Sequence, residues 1–241
     1  MFICGFKSLK STFRIGSKTS NFVLVQINSL SYYHQQHNTF PPDYLSDLQG
    51  QILACPYFAV NNLNRDFVGT KGFSVVFQRS GLGEVEQRFP FFKPYLSVAL
   101  QPTCNAFYLN PLLLKTGSRV DPHIDRSLRS YCKTIEPPAI VSVLYVQVPP
   151  ALQGGELVLR HNKRQVGQIR PQVNTLLYFQ GDLTHSVNAL TSPGTRLSLV
   201  CEQYNLRETE LQEIPEFTLE SRANKSQVKG SKQGGITSSR Y

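Results

Sequence analysis

His123 and Asp125 stand one residue apart in the stretch DPHIDRSLRS, residues 121–130. In an extended strand, residues i and i+2 face the same side, so an imidazole and a carboxylate would project together from this segment. Taken alone, the H-x-D triplet is equally a solvated strand end. A third group of the same chemistry follows in YFQGDLTHSVNAL, where His185 opens a strand after a Gly181–Asp182 turn, 60 residues beyond Asp125. Two imidazoles and one carboxylate on one face of a divalent cation leave its remaining positions open, as in non-haem Fe(II) sites. The bland alternative for His185 is an isolated strand-end histidine whose hydrogen bonds are met locally.

Arg196 adds a different chemistry. In SPGTRLSLV it sits inside an apolar strand, beside Leu197 and close to Leu199. An arginine there either reaches solvent by alternation or is buried against an anion. A guanidinium binds a planar carboxylate through two parallel hydrogen bonds. Ser198, two residues on and on the same face, would add a third donor to that carboxylate.

The elements that must position these groups are legible from pattern. From residue 104 the chain becomes a series of short apolar or alternating runs: CNAFYLNPLLL, SRVDPHI, AIVSVLYVQV, GELVLRH, VGQIR, NTLLYFQ, HSVNAL and TRLSLVCEQY. Turn signals separate them, including Gly117, Pro137–Pro138, Pro149–Pro150, Gly154–Gly155, Gly181 and Pro193–Gly194. Eight strands at roughly ten-residue spacing predict an antiparallel sandwich or jelly roll. Ahead of them, PDYLSDLQGQILAC has Leu45, Leu48 and Ile52 at helical spacing, GFSVVFQ reads as a strand, and FPFFKPYLSVALQP as a helix over about residues 90–101 stopped by Pro102. The expected class is therefore mostly β with supporting N-terminal helices. Such a helix would cover one face of the sheet.

Composition bounds the function classes. The chain has 241 residues and is 40% hydrophobic, enough for one sizeable core, and carries a net charge of +9. That charge is confined to the ends. Residues 1–42 hold Lys7, Lys10, Arg14 and Lys18 with no acid, and residues 221–241 hold five basic residues with no acid. Residues 43–220 balance at 16 basic and 16 acidic side chains, so composition gives the folded part no basic face for nucleic acid. The expected organisation is a flexible basic leader over 1–42, a single domain over 43–220 with its core at 104–205, and a disordered basic tail over 221–241. No apolar run reaches the roughly 18 residues that would span a bilayer. The five cysteines are odd in number and lack a C-x-x-C pair, which points to a reducing compartment. The expected location is cytoplasmic, or organellar if the acid-free leader is a transit peptide.

In these features the sequence resembles the 2-oxoglutarate- and Fe(II)-dependent dioxygenases, specifically their prolyl-hydroxylase-like branch. The resemblance covers about residues 100–205 and is carried by H-x-D at 123–125, VLYVQVPPALQGGELVL at 143–159, NTLLYFQGDLTHSV at 174–187 and PGTRLSLV at 193–200. It implies a double-stranded β-helix, Fe(II) held by His123, Asp125 and His185, and 2-oxoglutarate anchored by Arg196, with Ser198 and Tyr145 as helpers. It also implies dioxygen as cosubstrate, ascorbate as reductant, and hydroxylation of a C–H bond in a small-molecule or peptide substrate with release of succinate and CO2. The aspartate at position 125 favours hydroxylation over halogenation, which needs that ligand position vacant. Asn110, Arg126 and Arg129 are candidates for the substrate rim. The chain departs from the family where leucines, Leu112 to Leu114, precede Gly117 in place of a common tyrosine, the nearest one here being Tyr108. Some prolyl hydroxylases also have a lysine at the place of Arg196. Three other readings stay open: an oxidative nucleic-acid demethylase on the same scaffold, a non-catalytic jelly-roll binding module, and a zinc cupin-like isomerase. No second arginine follows Arg196 before Arg207, which counts against the demethylase. No feature of the sequence sets an oligomeric state.

Overall fold

A computed structural model of the chain describes residues 31–60 and 66–223. In chain order the elements are β1 (Tyr33–His37), α1 (Pro42–Ala54), β2 (Ala59–Val60), β3 (Phe67–Val68), β4 (Lys71–Gly72), β5 (Ser74–Gln78), α2 (Leu82–Arg88), α3 (Lys93–Ala99), β6 (Ala106–Lys115), β7 (Arg119–His123), β8 (Ile140–Gln147), β9 (Leu157–His161), β10 (Arg164–Ile169), β11 (Thr175–Gln180), β12 (Thr184–Val187), β13 (Thr195–Tyr204), α4 (Glu208–Leu211) and β14 (Phe217–Glu220). All eight strands expected after residue 104 are present.

The strands form two antiparallel sheets. The larger runs β1-β11-β8-β13-β6-β4-β2, with β5 also pairing β6 and β14 pairing β5; the smaller runs β10-β9-β12-β7-β3. Their facing surfaces enclose an apolar layer that includes Leu112, Val143 and Leu177 from the larger sheet and Leu157, Leu159 and Val187 from the smaller. This is a double-stranded β-helix, or jelly roll.

The helices cover the other face of the larger sheet. On α1, Leu45, Leu48 and Ile52 are buried, as their spacing predicts, and they join Tyr95 and Leu96 of α3 against Leu144, Leu176 and Leu199. Because side chains alternate along a strand, β13 serves both layers. Leu197, Leu199 and Cys201 pack toward the helices, which leaves Arg196, Ser198, Val200 and Glu202 for the space between the sheets.

Three sequence expectations need correction. The flexible leader placed over 1–42 includes β1, whose five residues pair with β11 from Tyr33↔Phe179 to His37↔Thr175. Its polar sequence, YHQQH, is that of an edge strand with one open side, so the pattern did not stand out as sheet. Residues 1–30 of that leader, and 224–241 of the tail, lie outside the described residues. The helix expected over 90–101 is a 3-10 turn at Pro90–Phe92 followed by α3, which ends at Ala99. Pro94 fits the first turn of α3, where its missing N–H has no helical partner to lose. Strand β14 was not expected at all.

Candidate metal centre

The two histidines are brought together by strand pairing. His185 of β12 stands directly opposite His123 of β7 in the ladder, and their ring centroids are 4.3 Å apart. Asp125 lies just past the end of β7. Its Oδ1 is 3.2 Å from His123 Nε2 and its Oδ2 3.4 Å from His185 Nε2. One ligand atom from each of the three lies within 4.8 Å of the others, a grouping that could hold a metal ion.

The hydrogen bonds behind the rings fix which nitrogen faces inward. His123 Nδ1 lies 2.9 Å from the Asp121 carbonyl and His185 Nδ1 3.2 Å from the Leu183 carbonyl. A carbonyl only accepts, so each Nδ1 carries a proton and each ring turns its Nε2 toward Asp125, as a lone pair when the ring is neutral and, for His123, as an N–H donor to Asp125 Oδ1 at 3.2 Å when it is protonated. This back-side anchoring is the pattern of metal-bound imidazole. Two imidazole nitrogens and a carboxylate then converge on one small volume, and the buried Asp125 Oδ2 has no hydrogen-bond partner among the described residues. The 3.4 Å approach to His185 is electrostatic only. A divalent cation resolves that arrangement: it satisfies the orphaned oxygen and accepts both lone pairs. The donor set therefore fits Fe(II).

Electrostatics agree with this picture for Asp125 and His185. Burial pushes the Asp125 carboxyl up, but His185 and His123 outweigh it and hold the group below its ordinary range. Burial first, then the neighbouring His123, lower the His185 pKa against the pull of Asp125, which favours the neutral ring that a metal requires. For His123, burial is outweighed by the hydrogen bond and charge of Asp125, and its pKa lies above the ordinary value. Phe67 packs edge-on against the His123 ring at 5.2 Å, and Phe179 lies 5.0 Å from His185. These aromatic walls limit water around the imidazoles.

A pocket of about 50 Å³ connects the triad to Arg196, with Leu112, Val143, Leu157 and Val187 between. A larger hollow of about 450 Å³, bordered by Thr134, Arg207 and Glu210, touches none of the triad. Size is a poor guide here, and the chemistry selects the smaller one.

Arg196 is 2% exposed and has only neutral partners. Its Nη1 donates to the Gly155 carbonyl at 2.5 Å, and its Nε to Ser198 Oγ at 3.2 Å. Gly154 and Gly155 both adopt positive φ, near +74° and +73°, and this turn aims the Gly155 carbonyl at the guanidinium. Tyr145 lies under the guanidinium, 5.0 Å from ring to charge, and its buried hydroxyl has no partner. Burial lowers the Arg196 pKa, while Tyr145 and Glu156 oppose the shift. A buried cation and an unused hydroxyl side by side form an anion cradle.

The sequence-derived rim residues are placed differently. Asn110 is 2% exposed, opposite Val200 in the β6–β13 ladder, and its Nδ2 donates to Ser74 Oγ at 3.4 Å. Arg126 is exposed. The Arg129 Nε donates to the Ile135 carbonyl at 2.6 Å and ties its own loop. None of the three borders the pocket described above.

Sequence reasoning missed Glu202, 4% exposed on β13. It accepts hydrogen bonds from the Ser127 amide at 3.2 Å, the Ser127 hydroxyl at 2.5 Å and, over a short distance, the Tyr204 hydroxyl. Burial first, then Asp125, push its pKa up to about 8 against the pull of those donors. The signal was present: Glu202 has the same parity on β13 as Arg196 and Ser198.

Comparisons with known proteins follow the same line. The model of the 2OG-Fe(II) oxygenase superfamily matches residues 108–201. A prolyl hydroxylase from Trichoplax adhaerens, solved in complex with a hypoxia inducible factor oxygen degradation domain peptide fragment, aligns at 17% identity over 79% of this chain and 90% of its own, with a TM-score of 0.52. A prolyl-4-hydroxylase from Pseudomonas putida aligns at 18% identity over 74% of this chain and 95% of its own, with a TM-score of 0.49. No curated protein matches the sequence. The stretch that matches the 2OG-Fe(II) oxygenase superfamily model, residues 108–201, is the part of the chain that carries the triad and Arg196 on a jelly roll.

Proposed function

We propose that this chain is an Fe(II)- and 2-oxoglutarate-dependent hydroxylase in which His123, Asp125 and His185 hold the iron and Arg196 anchors the cosubstrate. The observation that carries this reading is the pocket with two chemically distinct ends: three converging metal-type donors at one and, at the other, a buried arginine with no salt bridge among the described residues. A short dicarboxylate has the chemistry for both ends, one carboxylate toward the metal and the other toward Arg196. Fe(II), when bound, supplies the site where dioxygen is reduced as 2-oxoglutarate is converted to succinate and CO2. Arg196 holds the far carboxylate by charge-assisted hydrogen bonds. Tyr145 donates its free hydroxyl to the same group, and Ser198, which accepts from Arg196, keeps its own proton to donate. Leu112, Val143, Leu157 and Val187 exclude water along the cosubstrate's carbon chain. Ascorbate serves as the reductant that keeps the iron ferrous between productive turnovers.

The substrate is a peptidyl residue or a small molecule with an accessible C–H bond. Peptide is the first choice, because the Trichoplax adhaerens enzyme of the same fold was solved with a peptide fragment. Arg126, exposed beside the metal motif, is its candidate contact. Among the described residues no helix is long and apolar enough to cross a membrane.

The test measures CO2 released from labelled 2-oxoglutarate with Fe(II) supplied. Release should require the metal and fall by at least about a thousandfold in His185→Ala, the scale on which loss of an essential group acts. Turnover surviving that substitution would sink the iron assignment. A screen of peptides and metabolites for the gain of one oxygen, coupled to succinate, then identifies the substrate.

A further inference from the structure

Of the three metal-type ligands, two are set by the β-ladder and one is not. His123 and His185 are register partners on β7 and β12. Asp125 lies two residues beyond the last residue of β7, in the connection that leads to the 3-10 turn Ser127–Ser130. A carboxylate on a connecting segment needs a separate tether if it is to meet two imidazoles within a few tenths of an ångström.

Glu202 supplies a polar tether in the right place. Both the amide and the hydroxyl of Ser127, two residues after Asp125, donate to its carboxylate, at 3.2 and 2.5 Å. Tyr204, on the same strand and face, donates to it as well and fixes its orientation. Leu128, fully buried against Tyr204, Ala106 and Ile135, holds the same turn from its apolar side. Glu202 itself belongs to β13, the ten-residue strand that carries Arg196 six positions earlier. A single rigid strand thus holds the cosubstrate anchor directly and the loop of the carboxylate ligand through one hydrogen-bonded pair.

We propose that Glu202 is a positioning residue that acts through Ser127 to hold Asp125 in ligating geometry and so sets the distance between the metal end and the Arg196 end of the pocket. The inference rests on the metal assignment made above. It predicts a defined energetic signature. Because the Glu202 carboxylate and the Ser127 hydroxyl act as one contact beside the Ser127 amide bond, weakening either partner loosens the same alignment, and changing both costs little more than changing one.

The experiment uses the full chain without iron and measures Mn(II) affinity by calorimetry, with thermal unfolding recorded for each variant. Glu202→Gln and Ser127→Ala are each expected to weaken Mn(II) binding by about tenfold, the scale of losing a supporting partner behind a ligand. The double variant should lie within about twofold of the weaker single one. Bound Co(II) gives a second readout. If Asp125 swings out of the ligand set, the visible absorption of the Co(II) protein changes, which a general loss of stability in the folded, loaded protein does not produce. Should Glu202→Gln fail to fold, Ser127→Ala alone decides, since it leaves the buried carboxylate and its Tyr204 bond in place. Unchanged Mn(II) affinity in folded Ser127→Ala, or effects of the two substitutions that multiply in the double variant, would overturn the proposal. If the wild type fails to bind Mn(II), or His185→Ala binds it as well as wild type, the metal assignment itself falls and the tether falls with it.

Discussion

The two faces of β13 are built by the same alternation and serve opposite purposes. Toward the helices it presents Leu197, Leu199 and Cys201, all fully buried in the largest apolar cluster. Toward the smaller sheet it presents Arg196, Ser198 and Glu202, equally buried but polar. Burial is therefore the same on both faces, and what differs is whether the burial is self-sufficient. The leucines find dispersion partners within the chain. Among the described residues Arg196 hydrogen-bonds only to a carbonyl and a hydroxyl, and Tyr145, whose ring lies under it, leaves its hydroxyl without a partner. Burying polar groups without partners costs about 1–3 kcal/mol each, a cost that the proposed cosubstrate would offset. The outer face stabilises the fold; the inner face awaits chemistry.

The sharpest way to break this distinction is on the outer face. Leu199→Ala removes a fully buried side chain and leaves a cavity, which costs about 2–5 kcal/mol of stability by urea unfolding. The folded fraction should still bind 2-oxoglutarate within about twofold of wild type, because the face turned to the cosubstrate is untouched. A tenfold loss of affinity in folded Leu199→Ala would mean that the two faces do not act separately.

Arg196→Leu tests the inner face and should reverse the pattern. Removing two charge-assisted hydrogen bonds to a carboxylate, at about 1.5 kcal/mol each, weakens 2-oxoglutarate binding by roughly a hundredfold. Stability should be unchanged or higher, since a buried cation without an anion is replaced by an apolar side chain of similar reach. Measured together, the 2-oxoglutarate dissociation constant and the unfolding midpoint give the contrast directly. An arginine needed for folding rather than for the cosubstrate would show the opposite: a lower midpoint and an unchanged dissociation constant.

The same contrast explains how much could be read from the chain alone. Strands β6 to β13 were legible because each pairs an apolar or alternating run with a Gly or Pro turn, and that periodicity is local information. His123, Asp125, His185 and Arg196 were legible because their residue types are out of place in such strands. Strand β1 was not, because an edge strand needs no apolar face of its own and its YHQQH sequence is stabilised by β11, more than a hundred residues away. Glu202 was overlooked for a related reason. Its partner Ser127 lies 75 residues away, and a lone glutamate at the end of an apolar run reads as a strand entering solvent until the pairing is known. The rim residues show the converse error in emphasis: Arg129 looked like a contact for substrate by charge, yet its guanidinium ties the Ile135 carbonyl of its own loop.

The smallest expected effect carries the finest test of the comparison. Tyr145 is fully buried on β8, opposite Ser198 in the ladder, and its hydroxyl has no hydrogen-bond partner. Tyr145→Phe deletes that one oxygen and preserves the ring beneath Arg196. In the protein without cosubstrate the deletion removes an unsatisfied buried group, so stability should rise by up to about 1 kcal/mol. On the proposed reading the wild-type hydroxyl donates to the far carboxylate when 2-oxoglutarate binds, and its loss should weaken binding by about tenfold, the scale of one hydrogen bond to a charged group. The sign of the effect thus changes with the ligand. A structural tyrosine would lose stability in both states, and a tyrosine irrelevant to the cosubstrate would leave the dissociation constant where it was. Only a side chain placed for an absent partner gains stability and loses affinity through the same missing atom.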